Sequence, residues 1–201
     1  MGTAGKAALR SRLLQARRAI ADDVRAAEAQ ALTEHLSALT TGTGTVCAYV
    51  PVGAEPGAIA MLDVLSRRNL RVLLPVARTT SDDVPLPLRW GEYRPGRLVA
   101  ARFGLLEPPE PWLPASALGQ AGAVLVPALA VDRHGVRLGR GGGFYDRSLA
   151  LAAPEAPLIA VVRDEEVLDE LPCEPHDVRM THALTPGTGV TSLGAGMTRA
   201  T

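Results

Sequence analysis

Arg137-Leu138-Gly139-Arg140-Gly141-Gly142-Gly143-Phe144-Tyr145-Asp146-Arg147 is the stretch whose residue types and spacing speak most directly of chemistry. Glycines at this density let a backbone approach a ligand and turn successive N–H groups toward it. Arg137 and Arg140 bring guanidinium groups, which pair well with phosphate oxygens. Asp146 offers a hard carboxylate oxygen of the kind magnesium takes beside a phosphate. The stretch therefore reads as the anion site of a phosphate-binding, nucleotide-dependent enzyme. It is not a Walker A loop, because no Lys-Ser or Lys-Thr follows the last glycine. It also lacks the acidic residue that completes a dinucleotide fingerprint.

Such a loop needs firm elements around it. Ala123–Pro127 is a short apolar run that suits a buried strand leading into the loop. A helix is expected from Phe144 to about Leu151, so that Gly139–Gly143 opens a helix whose N-terminus joins in holding the anion. Residues 4–19 have the spacing of an amphipathic helix, with Ala8, Leu9, Leu13 and Ala16 on one face and Arg10 and Arg17 on the other. A second helix, capped by Asp22 or Asp23, is expected to run to about Leu39. Strands are expected over Thr45–Val50, Arg71–Pro75 and Pro157–Val162. Pro56 suits the first turn of a helix through about Arg68. A short helix is expected over Glu165–Leu171, then a loop from Pro172 to Asp177.

The alternation of helix and buried strand predicts an α/β fold with a mainly parallel sheet. Residues 79–121 stand apart: they are rich in Pro, Gly and charge, and Trp90, Tyr93, Phe103 and Trp112 fall there, four of the seven aromatics. Short strands and ordered loops are expected, either covering a ligand or forming a surface insertion. From Pro186 the chain is rich in Gly, Thr and Ala with Arg199 its one charge, so a single domain over 4–186 and a disordered tail over 187–201 are expected.

Composition narrows the function classes. Lys+Arg and Asp+Glu are both 21 in 201 residues, so the formal net charge is zero and there is no basic excess for nucleic acid. Aromatics at 3% leave little for stacking single-stranded bases. Cys47 and Cys173 make neither a disulfide framework nor a zinc site, which suits a reducing cytoplasm. No apolar run is long enough to span a bilayer. The first 20 residues are Arg-rich and free of acids, as transit peptides are, but they are poor in serine and run on into a second helix pattern, so they read as part of the folded protein.

Several segments together resemble the 5-formyltetrahydrofolate cyclo-ligase (methenyltetrahydrofolate synthetase) family. The strand with Pro127, then Asp132, Gly135 and the glycine stretch carry most of the likeness. Lys6-Ala7-Ala8-Leu9-Arg10, Tyr49-Val50-Pro51 through Glu55-Pro56, Phe103-Gly104-Leu105-Leu106-Glu107-Pro108 and His176-Asp177 follow in the family's order. The resemblance implies a three-layer α/β sandwich like that of sugar-phosphate isomerases and CoA transferases. It implies an ATP- and Mg²⁺-dependent conversion of 5-formyltetrahydrofolate to 5,10-methenyltetrahydrofolate through a phosphorylated formyl group, by a monomer or homodimer. It implies that Lys6, Arg10 and the run Arg137, Leu138, Gly139, Arg140, Gly141, Gly142, Gly143, Phe144 and Tyr145 bind ATP, with Arg140 and Lys6 acting on the transferred phosphate. Asp146 and Asp177 would bind magnesium, and Val50, Glu55, Trp112 and Tyr145 would contact the folate. ATP would lie between the glycine loop and the first helix, folate across the sheet edge near Glu55.

Plainer roles stand beside these. Lys6 and Arg10 suit a solvated helix face, Asp146 a salt bridge to Arg147 or a helix start, Asp177 a loop cap, Glu55 a helix cap, Val50 a buried strand and Trp112 a buried aromatic. Gly142 stands where the family pattern often has lysine, Phe144 where it often has tyrosine, and Thr181 where an aspartate often follows the His-Asp pair. The alternatives are a non-catalytic nucleotide- or folate-binding relative, or a sugar-phosphate isomerase or CoA-transferase type of enzyme on the same fold.

Overall fold

The computed structural model describes residues 3–174 and 177–194. In chain order its elements are α1 (Thr3–Arg18), α2 (Asp22–Ser37), β1 (Thr45–Cys47), α3 (Ala60–Arg67), β2 (Arg71–Val76), β3 (Arg89–Glu92), β4 (Val99–Ala100), β5 (Leu106–Glu107), β6 (Ala123–Pro127), β7 (Ala130–Asp132), β8 (Arg137–Leu138), α4 (Phe144–Ser148), β9 (Leu158–Val161), β10 (Val167–Leu168), β11 (His182–Thr185) and β12 (Gly189–Ser192). The main sheet has the order β12-β11-β9-β6-β1-β2-β3. The five strands from β11 to β2 are mutually parallel, and β12 and β3 add antiparallel edges.

Both faces of this sheet are covered, so β6 and β9 are apolar at every position. In β6, Ala123 and Leu125 pack with Leu32, Leu36, Leu62 and Leu65 of α2 and α3. Val124 and Val126, pointing the other way, pack with Trp90, Leu118, Leu149 and Met180. That is the continuous apolar run of a parallel strand, against which alternation gives no guide. The result is the expected α/β fold, a mainly parallel sheet flanked on both sides.

The helix α1 sits on a smaller sheet of order β10-β7-β8, where Leu9, Leu13 and Leu14 cover Leu129, Ala130, Val136, Leu138 and Leu171. Its inward stripe is Lys6, Leu9/Arg10, Leu13/Leu14 and Arg17, spaced at three and four residues. The sequence reading had placed Arg17 on the solvent face and Ala8 and Ala16 inside. The structure reverses this: Ala8 and Ala16 are exposed and Arg17 is buried.

Other expectations shift for local reasons. Ala21 is the N-cap of α2 and no side chain caps it, so Asp22 and Asp23 act on the first-turn N–H charge instead. Gly57 (φ 101°) turns the chain after Pro56, so α3 starts only at Ala60 and Pro56 is not in its first turn. Glu165–Leu171 is not a helix. A single 3₁₀ turn over Asp164–Glu166 leads into β10, which is drawn into pairing with β7. The region set down as a disordered tail from residue 187 begins instead with β12, which pairs along the whole of β11. Residues 195–201 lie outside the described part.

Candidate active site

The parallel strands run in the order β2-β1-β6-β9-β11. The chain leaves β1 through α3 to β2 on one side, then returns to place β6 on the other. Between β1 and β6 the direction of winding reverses. At such a switch point the loops leaving the two strands part, and a crevice opens beyond the strand carboxyl ends. A cavity of about 230 Å³ lies there. Its floor is made by the residues that follow β1 (Tyr49, Val50), the end of β2 (Pro75, Ala77) and the end of β6 (Pro127, Ala128, Leu129). The resemblance suggested a sheet-edge position for the folate. The crevice is instead in the middle of the sheet, because β1 is an interior strand.

The glycine loop forms one wall. Arg137, Gly139, Arg140, Gly141, Gly142, Gly143, Phe144, Tyr145 and Asp146 all line the cavity. Leu138 is buried against Leu129, with its side chain turned away into the α1 layer. Gly141 and Gly143 have φ values of 94° and 71°, which side chains rarely adopt. A Cβ at Gly139 would stand 2.6 Å from Arg137 Nη1, so glycine here leaves room for that guanidinium to fold over the loop. Arg137 Nη2 donates to Asp146 Oδ1 at 2.6 Å, and its charge lies 5.6 Å from the centre of the Tyr145 ring. Asp146 therefore pairs with Arg137 and not with Arg147. The helix α4 has five residues, shorter than expected, and runs into a 3₁₀ turn at Leu149–Leu151. A dipole from so short a helix is small, so the anion affinity of this wall rests on its arginines and loop N–H groups.

Glu55 stands on the opposite wall. Val52 N–H donates to Glu55 Oε2 at 2.9 Å, and the Arg140 Nε lies 3.0 Å from Glu55 Oε1. Glu55 thus closes its own turn and does not cap α3, whose N-cap is Ile59. Val50 lines the same cavity, and Leu105 and Leu106 reach it from the 79–121 insertion. That insertion folds as short strands and 3₁₀ turns, as expected, and covers the crevice with two leucines.

Not every expected site residue meets here. Trp112 is absent from the cavity lining: the Arg78 guanidinium sits 4.2 Å from its ring centre and its Nε1 donates to Pro108 O. One ring face is thereby taken by Arg78. Lys6 is outside the cavity too, with Nζ 3.2 Å from Glu174 and 3.3 Å from Asp177. Burial alone would lower the pKa of Lys6, but the two carboxylates outweigh it and hold the ammonium above its ordinary value. Asp177 lines a separate pocket with Glu174, Cys173 and Arg179. Asp146 and Asp177 are therefore not brought into one cation site. Arg10 donates from Nε to Gly139 O at 2.9 Å and supports the loop directly. His176 lies outside the described residues. Thr181 ties β9 to β11, accepting from Leu158 N–H and meeting His182 Nδ1 at 2.8 Å.

Magnesium fits this wall in one particular way. Among the described residues no group of three His, Cys, Asp or Glu side chains forms a cage. Magnesium commonly takes one or two protein carboxylates and completes its shell with phosphate oxygens and water. Asp146, two-fifths exposed at the cavity mouth, has the donor chemistry for that arrangement.

Sequence reading missed the cavity floor. Tyr49, Pro127–Leu129 and Arg17 all line it. Tyr145 Oη is sealed from solvent without a hydrogen-bond partner, and burial pushes its pKa far above the ordinary tyrosine range against the pull of Arg137. Arg17 is 1% exposed and pairs with Glu166 at 2.6 and 2.7 Å. Arg163, equally buried, pairs with Glu28 and Glu166 and donates to Ala54 O, next to Glu55. Only the spacing of Lys6, Arg10 and Arg17 on α1, at i, i+4 and i+11, hinted that they share a face.

A switch-point crevice walled by a glycine loop, two arginines and a carboxylate places this chain among α/β folds with the chemistry to hold an anionic ligand. The family model of the 5-formyltetrahydrofolate cyclo-ligase family matches residues 2–186, and the chain belongs to that family. It is 61% identical over 193 residues to a 5-formyltetrahydrofolate cyclo-ligase of Mycolicibacterium smegmatis, covering 96% of this chain and all of that one. A cyclo-ligase of Escherichia coli K12 is 30% identical over 144 residues, 71% of this chain and 78% of the other. Among solved structures, the 5,10-methenyltetrahydrofolate synthetase of Aquifex aeolicus superposes with a TM-score of 0.75 at 22% identity, covering 98% and 96% of the two chains. That of Mycoplasma pneumoniae gives 0.67 at 22% identity, covering 87% and 94%. These two show a shared fold. Among the described residues no helix is long and apolar enough to cross a membrane.

Proposed function

We propose that this chain converts 5-formyltetrahydrofolate to 5,10-methenyltetrahydrofolate, with ATP and Mg²⁺ consumed as MgATP and ADP and phosphate released. The observation that carries this reading is the abutment of two chemically distinct walls. The Gly139–Gly143 loop and Glu55 face one crevice and are joined by the Arg140–Glu55 pair at 3.0 Å. A phosphate held by the loop and a folate held by Glu55 would meet where Arg140 stands.

A formamide oxygen is a poor leaving group. In this reading it attacks the γ-phosphorus of ATP, the bond to the ADP oxygen breaks, and an imidate phosphate forms. N10 then attacks the formyl carbon and loses its proton, and the C–O bond breaks with phosphate leaving. Both steps need alignment and charge neutralisation more than a protein nucleophile. Arg140 exchanges its Glu55 partner for the phosphoryl oxygens, and Arg137 together with the loop N–H groups holds the rest of the phosphate chain. Arg10 keeps the loop in place through Gly139, and Lys6 brings its charge toward the phosphates from the same helix face. Asp146 would hold the metal, which neutralises phosphate charge when bound. Glu55 would accept from the N–H groups of the pterin, beside Val50 and the apolar floor. Trp112 and Asp177 take no part. The unpaired, exposed Cys173 suits a reducing compartment, and we place the reaction in the cytoplasm.

The direct test is to mix the purified protein with 5-formyltetrahydrofolate, ATP and Mg²⁺ and follow the absorbance of the methenyl product. Product that depends on both ATP and metal supports the reading; a folded protein that binds ATP yet forms none points to a non-catalytic relative. Asp146→Ala is expected to abolish metal-dependent turnover while changing stability by less than about 1 kcal/mol, since its pair with Arg137 is partly exposed. Near-normal turnover in that variant would remove Asp146 from the metal.

A further inference from the structure

The cavity floor holds a buried guanidinium that the chemistry above does not use. Arg17 reaches it from α1, is 1% exposed and lines the cavity. Its Nε and Nη2 are committed to Glu166 at 2.6 and 2.7 Å, and Nη2 also donates to Ala128 O at 2.6 Å. Nη1 has no hydrogen-bond partner. A buried donor left unpaired is costly, and native structures rarely tolerate one without reason. Nothing in the packing of α1 demands it, since a leucine at this position would continue the apolar stripe of Leu9, Leu13 and Leu14.

The charge state narrows what Nη1 can take. The bidentate Glu166 pair already neutralises the guanidinium, and Glu28, Arg163 and Glu166 continue an alternating network. An anion brought to Nη1 would meet a balanced, desolvated cluster that includes Glu166, so a neutral acceptor is the better complement. The same network fixes where that acceptor must lie. Arg163 bridges Glu166 to the Ala54 carbonyl, so Arg17 and the Glu55 turn are held in one rigid frame. Tyr49 lines the same floor and donates its hydroxyl to Pro56 O, next to Glu55. Glu55 and Arg17 thus line one cavity with apolar Val50 and Leu129, and the unspent Arg17 Nη1 lies sealed just beneath its surface, so a ligand reaches it only as the floor adjusts around it.

A pterin edge has the matching order: two adjacent N–H donor positions followed by a carbonyl oxygen. We propose that Arg17 is a substrate-binding and specificity residue whose Nη1 donates to the 4-oxo oxygen of the pterin, while Glu55 accepts from the neighbouring N–H groups. This rests on the folate reading of the crevice. It makes the site selective for 4-oxo over 4-amino pterins, because an amino group there would set donor against donor at Arg17, while the adjacent ring nitrogen, no longer carrying hydrogen, would set acceptor against acceptor at Glu55. Sites built to pair a particular polar group reject analogues that cannot pair it far more strongly than apolar pockets reject a changed shape.

The experiment is a calorimetric titration of the full chain with 5-formyltetrahydrofolate and with its analogue carrying an amino group in place of the 4-oxo. The wild-type protein is expected to bind the analogue at least ~30-fold more weakly. Arg17→Met together with Glu166→Gln removes the donor and its counter-charge while keeping side-chain volume. There the preference is expected to shrink by about tenfold, to the share that Glu55 supplies, with KM raised and kcat little changed, as for a contact made equally in ground and transition states. Should that pair of changes fail to fold, Arg17→Lys keeps the charge but loses Nη1 and is expected to show the same loss of preference. Equal binding of the two ligands by the wild type, in a sample that still forms the methenyl product on addition of ATP and Mg²⁺, overturns the Arg17 assignment and leaves the folate reading standing. A preference that persists unchanged in the Arg17 variants also overturns it. No binding of either ligand and no product overturns both.

Discussion

The chain uses arginine in two opposite ways within one crevice. Arg140, on the glycine loop, has half its side chain exposed and a pair with Glu55 that a ligand can displace. Arg17 and Arg163, under the floor, are each 1% exposed and locked into a network with Glu28 and Glu166. An exposed guanidinium keeps most of its hydration, so exchanging one partner for another costs little, as a group that must meet a transient phosphate requires. A buried one has given up its hydration and depends on its partners, so it stays where it is. The upper arginine suits chemistry; the lower ones suit geometry and discrimination.

Glu166→Ala should break the lower set most severely. It leaves two buried guanidinium groups without their shared carboxylate, an expected loss of about 3–5 kcal/mol in urea unfolding. A loss under 1 kcal/mol would mean the lower network is as dispensable as a surface pair. Arg140→Ala is the complementary case. It is expected to lower kcat by about 10²–10³ while leaving the unfolding midpoint nearly unchanged, because the group acts on charge that develops during transfer. Weaker folate binding with an intact rate would move Arg140 from the phosphate to the folate.

A smaller effect is expected from Gly139→Ala. The added Cβ would press on Arg137 Nη1, the end of a flexible side chain, so stability should change little. Displacing Arg137 from its place over the loop should still cost about 10- to 100-fold in kcat/KM. An unaltered rate would show that the loop tolerates a repositioned Arg137.

The smallest effect concerns neither arginine set. Burial lowers the pKa of His182 on β11 below its usual 6.5. The folded state then resists protonation more than the unfolded chain does. Its stability is complete above pH 6.5 and declines as pH falls through the folded value. Thermal melts across that window should show the decline in the wild type and flatten in His182→Gln; an unchanged slope would assign it to other groups.

The glycine stretch, the strands at Arg71–Val76 and Ala123–Pro127 and the two long N-terminal helices could be read from composition and spacing, because each depends on residues adjacent along the chain. So could the pairing of loop and Glu55 as candidates, through the likeness of segments in order. The fate of α1's basic residues could not. Residues 4–19 alone give Arg17 every reason to seek water, and only Glu166, 149 positions away, together with the Ala128 carbonyl, makes its burial tolerable. Lys6 and Asp177, 171 positions apart, were assigned separate tasks and turn out to be each other's partners. Trp112 was open to stacking or to plain burial, and only the fold sets Arg78 over one face of its ring. Gly189–Ser192 looked too polar to fold alone, and it becomes a strand because β11 offers an unpaired edge. Local sequence determined most of the elements and marked one loop as the candidate anion site. Tertiary structure decided which charges are solvated, which are paired and where the crevice opens, since desolvation and strand order depend on residues far apart in the chain.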